Sequence, residues 1–141
     1  FYGPAFLVNF DNFTAKSIGV KHLNPYKDKI KDADFLLLHT GWNRYWGSEQ
    51  YFTDYPVLSA EAADWLSDFG LKGFGIDTIS ADTADSQDYH IHKALLQKST
   101  IIIENLTNLE AMPCDQFTFS CFPLSFADAD GSPVRAVAFL Y

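Results

Sequence analysis

Three short apolar runs in this chain each end on a side chain able to hold a proton or a metal. Phe35-Leu36-Leu37-Leu38 runs into His39, Phe74-Gly75-Ile76 into Asp77, and Ile101-Ile102-Ile103 into Glu104. Apolar runs this short, without polar alternation, suit strands covered on both faces, the usual state of a parallel sheet. Between the first two lies the clearest helix signal. Ser59 offers an N-cap oxygen, and Ala62, Ala63, Trp65, Leu66 and Phe69 recur at helical spacing before Gly70 ends the pattern. Strand, helix and strand in that order predict a βαβ-like unit and an α/β domain with a mixed sheet and flanking helices.

The remaining elements follow the same logic. Residues 5–10 read as a buried strand, residues 89–97 as a second helix, and residues 117–122 and 134–140 as strands around a turn at 128–133. Asn24-Pro25 breaks the chain, and residues 77–88, rich in Asp, Ser and Thr, read as a loop. No repeat or linker divides the 141 residues, so one domain over 1–141 is expected. With 48% hydrophobic and 20% charged residues, a core forms without disulfide or metal staples.

A formal net charge of -8 repels phosphate backbones and anionic lipid, which excludes nucleic acid and membrane surfaces as expected partners. The one lysine-rich stretch, Lys27 to Asp32, is balanced by its own acids and reads as a solvated loop or helix face. Cys114 and Cys121 are too few for a disulfide framework and fit no zinc spacing, so free thiols in a reducing, cytoplasmic setting are expected. No apolar run approaches the ~20 residues that span a bilayer. The chain opens on Phe1 inside a strand-like run, with neither Met nor a basic leader, and is expected to lack its N-terminal portion.

Ligands in open α/β sheets gather beyond the carboxyl ends of strands, which singles out His39, Asp77 and Glu104. Glu104 follows three Ile residues, so its carboxylate needs a metal, an arginine or an amide to cap. His92 precedes it by twelve residues, and a helix followed by a tight turn can bring the two side chains together; a packed core histidine is the alternative. Imidazole plus carboxylate suits zinc, manganese or iron. His90, two residues from His92, points elsewhere on a helix, and His22 is expected at the surface. Asp77 can orient a ligand, cap the next turn or pair with Arg135. His39 and Trp42 can border a substrate pocket. Asp82, Asp85 and Asp88 lack EF-hand spacing and read as a solvated loop. Neither a Gly-x-Ser-x-Gly elbow nor a phosphate loop occurs, and the thiols have no histidine partner in sequence.

Several motifs then fall in a fixed order: His39-Thr40-Gly41-Trp42, Tyr51-Phe52, Pro56-x-Leu58-Ser59, Glu61-Ala62-Ala63-x-Trp65-Leu66, Gly75-Ile76-Asp77-Thr78, His92-x-x-Leu95-Leu96, Ile103-Glu104-Asn105-Leu106-x-Asn108-Leu109 and Asp130-Gly131-Ser132-Pro133-Val134-Arg135-Ala136. This order resembles the cyclase family of metal-dependent hydrolases, which includes bacterial kynurenine formamidase and isatin hydrolase. The resemblance implies a swivelling β/β/α fold and a zinc or manganese centre hydrolysing amide-like or lactam-like bonds of a small molecule. It implies His92 and Glu104 as metal ligands, and Asp77, His39 and Trp42 as neighbours of the site. It also implies an early His-x-Gly-Thr-His-x-Asp motif, followed by Pro and another His, that is absent from these 141 residues. The expected acid/base histidine belongs to that portion, so no catalytic residue is assigned here, and weak metal binding without turnover is expected of the chain alone. Tryptophan breakdown and a homo-oligomer are further implications. The alternative is a non-catalytic remnant that serves as a binding or oligomeric scaffold protein.

Overall fold

The computed structural model describes residues 1–11 and 13–140. Among the described residues, eight strands and four short α-helices follow one another: β1 (Tyr2–Asn9), β2 (Ser17–Ile18), α1 (Val20–Leu23), α2 (Lys27–Lys31), β3 (Phe35–His39), β4 (Val57–Leu58), α3 (Ala60–Ser67), β5 (Gly73–Ile76), α4 (His90–Leu96), β6 (Ile101–Ile103), β7 (Gln116–Ser120) and β8 (Val137–Phe139). Six strands form one mixed sheet in the order β6-β5-β3-β1-β7-β8, and β2 pairs with β4 in a separate two-stranded ladder. The four strands β6, β5, β3 and β1 are parallel, whereas β7 and β8 join antiparallel at the β1 side. This is the mixed sheet with flanking helices that the apolar runs require.

The period of two in a strand splits β3 between two cores. Leu36 and Leu38 face the helices, where they pack with Phe74, Ile76, Leu66 and Leu95. Phe35 and Leu37 face the opposite side and meet Ile103, Leu106, Leu109 and Phe119. Both faces of β3 are therefore buried, which is why its sequence shows no polar alternation. Close approach at β5 needs a missing side chain: a Cβ on Gly75 would lie 2.5 Å from a methyl of Leu37 and 2.7 Å from one of Leu106.

Ser59 caps α3 as its sequence implies, its hydroxyl accepting the Ala62 N–H at 3.1 Å. Lys27–Lys31 is a helix whose charged side chains are exposed around the buried Ile30, the solvated helix face that its balanced charges allow. Two expectations shift. His22 is half-buried, its Nδ1 accepting the Gly19 N–H at 2.9 Å and its ring set edge-on to Phe13. The C-terminal strands are shorter than the apolar runs: β7 stops at Ser120 before Pro123, and residues 134–136 join only through the Pro123–Val134 bridge. Proline lacks the N–H that a ladder needs, so Pro123 and Pro133 bound the pairing. Cys121 is buried, and burial pushes its thiol pKa up, while Cys114 is exposed.

Candidate functional site

The parallel strands run out on one edge of the sheet, and the polar residues named from sequence stand there. β3 ends at His39, β5 leads into Asp77 and β6 into Glu104. α4 returns from the 77–88 loop and carries His92 to the same edge. The His92 Nε2 and Glu104 Oε1 atoms lie 3.3 Å apart, and both side chains are 28% exposed. Glu104 Oε1 also accepts the Ala81 N–H at 2.8 Å, which ties the carboxylate to the loop opposite. A half-open cleft of about 760 Å³ begins at this pair and is walled by Leu96, Ile102, Leu124, Phe126 and Val134.

Asp82 is the group that sequence reading missed. It is 2% exposed, not solvated, whereas Asp85 and Asp88 are exposed as expected. Its Oδ2 lies 2.6 Å from His92 Nδ1 and accepts the His92 backbone N–H at 3.0 Å. Its Oδ1 accepts the Ile91 N–H at 3.1 Å. Burial alone would raise the Asp82 pKa, but the bonds from the His92 ring and from the His92 and Ile91 amides, with the ring's charge, hold it below the ordinary carboxylate value. The signal that could have found it is the start of α4. Tyr89 stands at the N-cap in a left-handed conformation with no side-chain cap, so an outside acceptor has to serve the first N–H groups.

The other candidates sit around this pair. Asp77 is fully buried, and its carboxylate accepts the Thr40 N–H at 2.9 Å, the Thr40 hydroxyl at 2.6 Å and the Gly41 N–H at 2.7 Å. It pins the turn after β3, where Gly41 takes φ 73°, rather than pairing with Arg135. His39 is buried beneath the 109–111 turn, its Nδ1 without a hydrogen-bond partner and its Nε2 4.0 Å from Glu110 Oε2. Trp42 packs on Tyr45 and donates its Nε1–H to the Tyr51 carbonyl at 3.1 Å. Near it Tyr51 is buried, while Trp46 and Phe52 are exposed. Tyr51 donates its hydroxyl to Asn105 Oδ1 at 2.8 Å. Burial, then the nearby charges of Asp77 and Glu104, push its pKa up to about 12.

The donor set at the edge is thus an imidazole nitrogen and a carboxylate oxygen aimed at one point, a chemistry that fits a borderline divalent cation. It is a pair only. Asp82 stands behind the ring on the Nδ1 side, away from Glu104, and among the described residues no three His, Cys, Asp or Glu gather to hold a metal. None of the helices among those residues is long and apolar enough to cross a membrane.

Comparison with known proteins gives the site its context. The chain is 34% identical over 138 residues to a kynurenine formamidase of Bacillus cytotoxicus, a match that covers 97% of this chain and 62% of that protein. A solved "potential metal-dependent hydrolase with cyclase activity" superimposes with a TM-score of 0.82 at 24% identity, covering 97% of this chain and 64% of the other. An isatin hydrolase bound to the product analogue thioisatinate superimposes with a TM-score of 0.85 at 17% identity, covering 97% and 59%. The chain therefore spans about 62% of the length of a curated relative. Residues 1–83 match the Cyclase family model, described as "Putative cyclase". With more than half of its length under that model, and with its strand order carrying His92 and Glu104 to one edge, the chain belongs to the cyclase family.

Proposed function

We propose that this chain contributes His92 and Glu104 to a divalent-metal centre, zinc or manganese, of a hydrolase that cleaves an amide-like or lactam-like C–N bond, with an aryl formamide as the substrate class. The single observation that carries the reading is the 3.3 Å approach of His92 Nε2 to Glu104 Oε1 beside an apolar cleft. The likeness to a kynurenine formamidase, and the places of a metal-dependent hydrolase and an isatin hydrolase among the structural neighbours, support it.

A bound cation would supply Lewis acidity toward water and a carbonyl oxygen. The protein's own contribution is positional. Ala81 fixes one oxygen of Glu104, Asp82 fixes the His92 ring, and Tyr51 fixes Asn105 next to Glu104. Leu124 and Phe126 offer apolar walls that exclude water from a flat ring lying against the pair. Catalytic zinc uses three protein ligands, so turnover needs donors from outside these 141 residues, and a homo-oligomer in the cytoplasm is part of the same proposal. The second reading, a non-catalytic binding or scaffold protein, rests on the donor count of two.

The test is a zinc and manganese titration of the chain, of His92→Ala and of Glu104→Gln, read by calorimetry, together with an aryl-formamide hydrolysis assay. Weak binding that both substitutions abolish supports the metal reading. Binding unchanged in either variant removes that residue from the metal and overturns it.

A further inference from the structure

A neutral His92 ring carries one imidazole proton, and two carboxylates compete for it. Asp82 Oδ2 lies 2.6 Å from Nδ1, and Glu104 Oε1 lies 3.3 Å from Nε2. The side chain of Asp82 is 3% exposed against 28% for Glu104. A shorter bond to a charged, better-shielded acceptor is the stronger one. We propose that Asp82 is a positioning residue that fixes His92 as its Nδ1–H tautomer and so turns the Nε2 lone pair toward Glu104.

The carboxylate that does this is itself held by the start of α4. Oδ1 takes the Ile91 N–H and Oδ2 the His92 N–H, so Asp82 acts as an external cap for a helix whose own N-cap residue, Tyr89, offers none. The backbone of Asp82 is fixed in turn: its carbonyl accepts the Tyr55 hydroxyl at 2.9 Å, and its N–H reaches Ser80 Oγ at 3.3 Å. Asp82 cannot swing away from the ring without leaving the first N–H groups of α4 unpaired. One side chain thereby couples the register of the helix to the orientation of a ring in its first turn. The tautomer is a property of the metal-free chain; only its consequence, a lone pair ready for a cation, rests on the function proposed above. Carboxylates that orient a ligating imidazole in this way typically change metal affinity 10- to 100-fold.

The experiment is a long-range ¹H–¹⁵N correlation on the metal-free, histidine-labelled chain, in alkaline buffer where the ¹⁵N shifts show one protonated and one unprotonated nitrogen in the His92 ring. His92 is assigned by the loss of its signals in His92→Gln. The expected wild-type pattern is Nδ1–H. In Asp82→Ala no acceptor faces Nδ1, the proton moves to Nε2 facing Glu104, and zinc affinity falls about 10- to 100-fold. A wild-type ring protonated at Nε2 overturns the inference. So does an Asp82→Ala variant that keeps the Nδ1–H pattern with its α4 amide signals in place. Should the variant fail to fold, the wild-type tautomer decides alone. An Nδ1–H ring whose signals ignore added Zn²⁺ supports this inference and counts against the hydrolase reading instead.

Discussion

Tyr51 donates a 2.8 Å hydrogen bond to the side chain of Asn105, and Asn105 is the left-handed residue, φ 59°, that directly follows Glu104. The Asn105 N–H goes to the Thr78 carbonyl at 2.9 Å, so the turn after β6 is held through both backbone and side chain. Tyr51→Phe removes one of these holds and leaves the Asn105 oxygen under-served. The expected cost is about 1–2 kcal/mol in urea denaturation, with weaker zinc binding because Glu104 is less firmly placed. Unchanged stability and affinity would show that the bond does not position the turn.

The same hydroxyl gives a pH signature. Its folded pKa of about 12 lies above the ~10 of an unfolded tyrosine. A raised pKa means that the neutral form is preferred in the folded state. The associated stability is complete below about pH 10 and is lost as the pH climbs toward 12. Ultraviolet titration should show Tyr51 ionising near pH 12, with Tyr55 also raised by its burial, and the late Tyr51 step should be missing in Tyr51→Phe.

Glu104→Gln separates metal binding from folding. A glutamine oxygen still accepts the Ala81 N–H, so the thermal midpoint should move by no more than the equivalent of ~1 kcal/mol. Zinc affinity should fall by at least about tenfold, as should the turnover of any assembled enzyme. A large drop in stability with retained metal binding would assign Glu104 to structure instead.

Asp77→Asn tests a different kind of residue. Its three bonds reach only the Thr40–Gly41 turn, and an amide nitrogen in place of either oxygen faces a donor. A loss of about 2–4 kcal/mol is expected from a buried charge-assisted network of this kind, with metal affinity close to wild type in the fraction that folds. Equilibrium unfolding and a zinc titration of the same sample check both halves.

Gly75→Ala places a methyl against Leu37 and Leu106 in a filled core. Overpacking of this sort costs about 1–3 kcal/mol, which a shift in urea midpoint reads directly. A neutral effect would mean that the Leu106 loop lifts without penalty.

The strands β3, β5 and β6 are legible in the sequence because a strand buried on both faces leaves an unbroken apolar run, and Ser59 is legible because an N-cap acts on residues three places away. Those signals are local in sequence. Asp82 is hidden because its partners lie nine and ten residues on, across a turn, in a stretch whose Asp, Ser and Thr content looks solvated. The fate of Asp77 is open for a similar reason: the donors it serves follow another strand, 36 and 37 residues away. Apolar content in 117–122 and 134–140 overstates the length of the last strands because it masks what two prolines do to a ladder.

Among the described residues the α-helices pack on one face of the large sheet; the other is closed by the chain just after β6, through Leu106 and Leu109. Glu104 therefore sits at the very margin of a thin hydrophobic cover. A lineage that drifts in this segment changes the placement of the carboxylate and the seal of the core in one stroke. Under the function proposed above, variation in substrate preference should collect on the far wall of the cleft, around Leu124 and Phe126, where a side chain can change without opening the sheet to water.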